Sequence, residues 1–167
     1  MRDEQPYQNS FTSNGEETFD KGDRFRLTVS TPVTAYLYIF NEGPPEQKET
    51  SFTMIYPRPT TNSGSASVGA DQSVESGWDT FTGPAGAENF WIVWSTSPIS
   101  ELDSASNEAN KHPGGGLTGE TLVRVKRYLT AKKAEIDATT YRYKESQKAV
   151  VRGKSDLLVT LAQFKHR

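Results

Sequence analysis

Short apolar runs separated by turn-forming residues dominate the first two thirds of the chain. Hydrophobic side chains recur at every second position over residues 24–30, which is the period of a half-buried strand. Residues 35–40 and 90–94 are apolar at consecutive positions, which is typical of strands covered on both faces. Further strands are predicted over residues 51–56 and 78–81. Short strands with glycine and proline between them predict a mostly β fold, namely an antiparallel β-sandwich with one or two helices.

Helical signals appear twice in the last third. The serine and proline at residues 97–98 begin a predicted short helix that ends near residue 109. Three apolar residues at helical spacing predict a second helix over residues 118–133: Leu122, Val125 and Leu129. Two strands then close the chain, one over residues 138–144 and one formed by residues 149–151 together with 157–164.

With 167 residues the chain is long enough for one domain and too short for two ordinary ones. Residues 1–17 are polar and aperiodic, and we interpret them as a disordered or linker terminus before a single β-sandwich domain over residues 18–167. Residues 60–77 are rich in serine and glycine and have two valines as their only aliphatic anchors. We predict a long loop there, with room for one short edge strand. No apolar run is long enough to cross a membrane, and the first residues lack the apolar core of a signal peptide.

The net charge of -2 conceals an asymmetry between the two ends of the chain. Residues 1–110 carry 6 Lys/Arg against 16 Asp/Glu, whereas residues 111–167 carry 13 against 5. The basic segment could meet an anionic partner or dock on the acidic segment of the same domain, and we favour docking. Nucleic-acid binders interleave exposed aromatic residues with their cations, and the basic segment offers only three: Tyr128, Tyr141 and Tyr143. We therefore rank nucleic acid as a partner below the other interpretations of this chain.

The residue types needed for catalysis are scarce. There is no cysteine, no Gly-x-Ser-x-Gly elbow and no calcium-loop motif, and the two histidines lie in a Gly/Pro linker and next to the last residue. We therefore predict no catalytic residues, no metal site and no cofactor. Carboxylates near Trp78 and Phe90, among them Asp79 and Glu88, leave one alternative open. Paired carboxylates beside aromatic rings are typical of a glycoside hydrolase or a carbohydrate-binding domain.

Four motifs occur in a characteristic order along the first half of the chain. They are Gly22-Asp23 before a strand, Tyr36-Leu37-Tyr38-Ile39-Phe40-Asn41, then Tyr56-Pro57, and Gly83-Pro84-Ala85-Gly86-Ala87-Glu88 before an apolar strand. Together they resemble a bacterial family of domains of unknown function that are often appended to protein kinases, caspase-like peptidases or envelope proteins. The resemblance covers residues 18–110 as the family-like core. Residues 117–167 would then be an extension made of a helix and a terminal hairpin.

The resemblance implies a non-catalytic binding, sensory or accessory module of a larger bacterial envelope or signalling protein. Its partners would be the other domains of that chain or other proteins, and its compartment would be extracytoplasmic, either periplasmic or secreted. Two pairs of residues are candidates for ligand binding. Tyr56 and Trp78 could offer aromatic faces beneath the segment 60–77, and Asp23 and Glu88 could share a ligand.

Overall fold

A computed structural model of the chain describes residues 11–44 and 51–167. The elements, in chain order, are β1 (Thr18–Phe19), β2 (Arg24–Phe25), β3 (Thr28–Ser30), β4 (Ala35–Glu42), β5 (Phe52–Tyr56), β6 (Ser67–Val68), β7 (Ser73–Glu75), β8 (Asp79–Thr80), β9 (Gly86–Ser95), α1 (Ser100–Ala109), α2 (Gly119–Glu135), β10 (Ala138–Tyr143), β11 (Lys148–Gly153) and β12 (Leu157–His166). The prediction of a mostly β fold with one or two helices is confirmed. Neither helix of the described residues is long and apolar enough to cross a membrane.

One sheet organises the molecule. Its strands follow the order β1-β12-β9-β4-β5, and β6 also pairs with β4. All of these pairs are antiparallel except that of β1 with β12. Strands β4 and β9 occupy the middle because both are apolar on both faces, as their consecutive apolar residues predict.

Different elements cover the two faces of this sheet. Both helices pack on one face, where Leu102 of α1 and Leu129 of α2 join Tyr38 and Trp91 in a buried cluster. The short ribbons β2–β8 and β3–β7 cover the opposite face, where Phe25 and Val74 pack near Phe90. Alternation along each strand therefore sends every second side chain to the helices and the others to the ribbons.

The prediction of a long loop with room for one short edge strand over residues 60–77 is only partly right, because two short strands lie within it. This segment contains β6 and β7, which pair with β4 and β3. Val68 and Val74 are buried in the core on the ribbon side, so these two aliphatic residues hold a segment whose composition otherwise resembles a loop. The side chain of Asn62 also donates hydrogen bonds to the carbonyl oxygens of Ser65 and Ser67.

The last residues form three strands where two were predicted. Strands β10 and β11 make a hairpin of their own, and residues 154–156 then turn the chain into β12. Strand β12 lies inside the main sheet, between β1 and β9, and pairs with β9 over its whole length. Within the predicted terminus 1–17, residues 1–10 lie outside the described residues, while the carbonyl oxygen of Asn14 accepts a hydrogen bond from Arg142.

Candidate functional site

A cleft of about 290 Å³ opens at one end of the main sheet, on the ribbon side. Strands β4, β5 and β9 form its floor, and β8 and the turn that follows it form its wall. Polar side chains predominate among the described residues that line the cleft. These residues are Phe25, Asn41, Gly43, Pro44, Ser51, Thr53, Ile55, Asp79, Thr80, Thr82, Gly83, Glu88 and Gly114. Concave sites with a few convergent polar groups are the usual places for small ligands.

Three adjacent strands bring together a polar cluster, of which Asn41 and Glu88 line the cleft and His166 lies outside its lining. Asn41 of β4, Glu88 of β9 and His166 of β12 all point to the ribbon side, because the pleat alternates along each strand. The Asn41 Nδ2 donates a hydrogen bond of 2.6 Å to Glu88 Oε2. The other carboxylate oxygen, Glu88 Oε1, lies 3.4 Å from Nε2 of His166. We call these three residues the Glu88 cluster.

The imidazole of His166 lacks hydrogen bonds although it is buried. Its side chain is 0% exposed, and neither ring nitrogen has a hydrogen-bond partner among the described residues. The ring stacks on Phe81 with centroids 5.3 Å apart. A buried polar atom without a partner costs roughly 1 to 3 kcal/mol. Native structures satisfy nearly all such atoms, so this exception directs attention to the Glu88 cluster as a candidate site.

A second carboxylate of the cleft is already neutralised by an arginine. The Arg58 guanidinium donates to both oxygens of Asp79, at 3.1 Å to Oδ2 and 3.4 Å to Oδ1. Its Nε also donates to the carbonyl oxygen of Met54 at 3.0 Å, which holds the guanidinium against β5. Asp79 therefore has a cationic partner in the protein, whereas Glu88 has the neutral amide of Asn41 and a histidine that is charged only when protonated.

Of the four candidate ligand-binding residues, Glu88 lines the cleft and the other three lie elsewhere. Asp23 accepts a hydrogen bond from the Asp20 amide, as its position in a turn predicts. The ring of Tyr56 is completely buried, its hydroxyl accepts a hydrogen bond from Asn62, and burial raises its pKa. The Trp78 ring is 38% exposed, with the guanidinium groups of Arg24 and Arg26 over it.

Sequence analysis missed Asn41 and His166 as members of a site. His166 reaches Glu88 only because β12 enters the sheet beside β9, and its position next to the last residue gave no sign of that pairing. Asn41 ends the Tyr-Leu-Tyr-Ile-Phe-Asn motif, and its place at the end of a buried strand was the one available signal. The described residues contain no group of three or more His, Asp or Glu side chains arranged to hold a metal ion.

Comparisons of this chain with protein-family models, with curated proteins and with solved structures found no match. The argument for function therefore depends on the geometry of the Glu88 cluster and its cleft.

Proposed function

We propose that this chain is a non-catalytic binding module whose ligand is a small polyhydroxylated molecule of the saccharide class, bound in the cleft above Glu88. The observation that supports this most is the environment of Glu88, a buried carboxylate that lines the cleft and has no Lys or Arg partner within residues 11–44 and 51–167. Ligand hydroxyl groups would supply the hydrogen-bond donors that this carboxylate lacks.

The rest of the lining fits the same ligand class. Hydroxyl groups of Thr53, Thr80 and Thr82 border the cleft and can both donate and accept, as sugar hydroxyls do. Phe25 adds an apolar surface against which a sugar ring can pack. The volume of about 290 Å³ lies at the small end of ligand pockets, which suits one or two sugar units.

The ion pair between Asp79, the second carboxylate of the cleft, and Arg58 favours binding over hydrolysis. A glycoside hydrolase needs two carboxylates that can exchange protons or attack. Asp79 is instead held by Arg58, so its oxygens are occupied and its charge is balanced. Glycoside hydrolysis therefore remains the alternative function, and the experiment below separates it from binding.

The resemblance described above supports a larger bacterial chain as the setting of this module. In that setting the module would be an accessory part of an envelope or signalling protein, its other partners would be neighbouring domains, and the compartment would be extracytoplasmic. Binding of a saccharide suits such a location, since cell-envelope polymers are rich in hydroxyl groups.

Saturation-transfer NMR with a panel of neutral, acidic and amino sugars tests the proposed binding. We expect transfer to at least one neutral or amino sugar, loss of that signal in Glu88→Gln, and no loss in Glu42→Gln, a matched change of a buried glutamate on the other face of the sheet. An assay for reducing ends on oligosaccharides runs in parallel. Turnover that disappears in Glu88→Gln would replace the proposal with hydrolysis, and no transfer to any sugar would overturn it.

A further inference from the structure

The β10–β11 hairpin carries a basic and aromatic surface that the cleft does not use. Its strands pair only with each other among the described residues, through six register pairs from Ala138–Gly153 to Tyr143–Lys148. One face points to the body of the protein. There, the hydroxyls of Thr140 and Thr160 lie 3.3 Å apart, and Arg142 donates to the carbonyl oxygen of Asn14.

The opposite face of the hairpin points to solvent, and we call it the outer face. Alternation places six residues on it: Thr139, Tyr141, Tyr143, Lys148, Val150 and Arg152. Tyr141 and Tyr143 are 45% and 43% exposed, which is high for side chains of this size. Lys148 lies directly opposite Tyr143, and the guanidinium of Arg152 lies over the Tyr141 ring, 5.4 Å from its centre. Two exposed rings therefore alternate with two cations on one flat ribbon.

Most cations of the last third form no ion pair within the described residues. Of the 13 Lys/Arg in residues 111–167, four form ion pairs with acidic residues of the first 110: Lys111, Lys126, Lys144 and Arg167. Within residues 11–44 and 51–167, eight others form no ion pair: Arg124, Arg127, Lys133, Arg142, Lys148, Arg152, Lys154 and Lys165. Sequence analysis favoured docking of the basic segment on the acidic segment of the same domain. The structure shows that such docking neutralises only a few of these cations.

We propose that the outer face of the β10–β11 hairpin binds a single strand of nucleic acid. Bases would stack on the ring of Tyr143 and on the part of the Tyr141 ring that Arg152 leaves exposed, and phosphates would lie on Lys148, Arg152 and the adjacent Lys154. Alternating aromatic and cationic side chains are the combination that single-stranded nucleic acid requires, because each base offers a ring face and each linkage offers a charge.

The tip of the hairpin favours this partner over an anionic membrane. Residues 144–147 at the tip are Lys, Glu, Ser and Gln, so the hairpin has no apolar end to enter the acyl region. An acidic protein surface would use the cations but would leave the two exposed rings without a specific role. Nucleic acid is the partner that uses both sets of side chains.

Fluorescence anisotropy of the full chain with labelled oligo-dT and oligo-U of about 20 nucleotides tests the proposal. We expect binding to both strands, with a slope of log affinity against log salt of about -0.7 per phosphate neutralised. Tyr141→Ala with Tyr143→Ala should weaken binding about tenfold or more, whereas Tyr141→Phe with Tyr143→Phe should retain it, since stacking needs the ring alone. Lys148→Gln with Arg152→Gln should reduce the size of the slope by about 0.7 for each cation removed.

Lys133→Gln is the matched control, because Lys133 is an exposed cation of α2 that forms no ion pair within the described part of the chain. It should leave affinity and slope nearly unchanged. The proposal is overturned by any of three results: no binding at about 50 mM salt, binding that the double alanine variant retains, or tighter binding to duplex DNA or to vesicles of anionic phospholipid than to the single strands.

Discussion

Two buried glutamates lie side by side in the main sheet and face opposite ways. Glu42 of β4 points to the helices and Glu88 of β9 points to the ribbons, and both side chains are about one-tenth exposed. Glu42 accepts a hydrogen bond of 3.0 Å from the indole of Trp91 and lies 2.5 Å from the ammonium of Lys126. Glu88 has the amide of Asn41 and a histidine whose ring nitrogens have no hydrogen-bond partner in the described part of the chain.

The difference separates a structural carboxylate from one available to a ligand. Burying a charge is costly unless the protein supplies a partner of opposite charge and enough hydrogen bonds. The protein does this for Glu42, whose lysine belongs to α2 and therefore ties that helix to the sheet. It does this only in part for Glu88, which lines an open cleft. Incomplete satisfaction at one place in an otherwise well-packed core is typical of functional sites.

The largest effect is expected on the helix side of the sheet. Trp91→Ala removes a large buried side chain and the indole donor of Glu42, so it should lower the free energy of unfolding by about 3 to 5 kcal/mol. Urea denaturation monitored by circular dichroism measures this loss. A loss below about 1 kcal/mol would show that Trp91 does not support the core. Glu42, which Trp91 hydrogen-bonds, would then not qualify as a structural carboxylate.

A smaller loss is expected from the tyrosine that joins α1 to the sheet. The Tyr38 hydroxyl donates to Asp103 at 2.7 Å and accepts from the Ile99 amide at 3.2 Å. Tyr38→Phe leaves both groups without that partner and should cost about 1 to 2 kcal/mol in urea denaturation. Because this hydroxyl is on the helix side, the same variant should not change ligand binding in the cleft. A change there would mean that the two faces are coupled.

The same tyrosine predicts a loss of stability at alkaline pH. Burial raises the pKa of Tyr38 well above its usual value, and burial also raises the pKa of Tyr56. A group whose pKa is raised by folding contributes stability that is complete below the unfolded value of about 10 and is lost as the pH rises above it. Unfolding free energy should therefore fall above about pH 10, and less steeply in Tyr38→Phe than in the wild type. Equal slopes for the two proteins would contradict this assignment.

A small effect on stability is expected at His166. His166→Phe replaces a buried ring without hydrogen bonds by an apolar ring that can keep the stacking on Phe81. The free energy of unfolding should change by less than about 1 kcal/mol and can rise, because no hydrogen bond is lost. Ligand-observed NMR on the same variant should show weaker binding in the cleft. Strong destabilisation instead would place His166 among the structural residues, together with Glu42.

The sequence predicted the framework of the fold better than its connections. The consecutive apolar residues of 35–40 and 90–94 identified the two central strands, because burial on both faces requires apolar side chains at successive positions. The second short strand in residues 60–77 was missed because two valines among serines and glycines carry little periodicity, although each is buried. Pairing between distant strands leaves no local signal, so the placement of β12 beside β9 was not predictable.

The candidate site could be predicted only in part for the same reason. Glu88 was identified from its motif and its aromatic neighbours, but Asn41 and His166 join it through the register of three strands. Tyr56 belongs to an apolar strand whose alternation does not reveal which of its side chains become inaccessible. The Glu88 cluster depends on pairing between strands that are distant in sequence, so only the structure reveals it.

The paired substitutions Glu42→Gln and Glu88→Gln, compared by urea denaturation under identical conditions, test the central claim most directly. Glutamine keeps the size of the side chain and removes its charge. We expect Glu42→Gln to lose about 1 to 3 kcal/mol, because the charge that balances Lys126 is gone. Glu88→Gln should change the free energy of unfolding by less than about 0.5 kcal/mol or increase it. A loss in Glu88→Gln equal to or larger than that in Glu42→Gln would contradict the account, because Glu88 would then be a structural carboxylate like its neighbour.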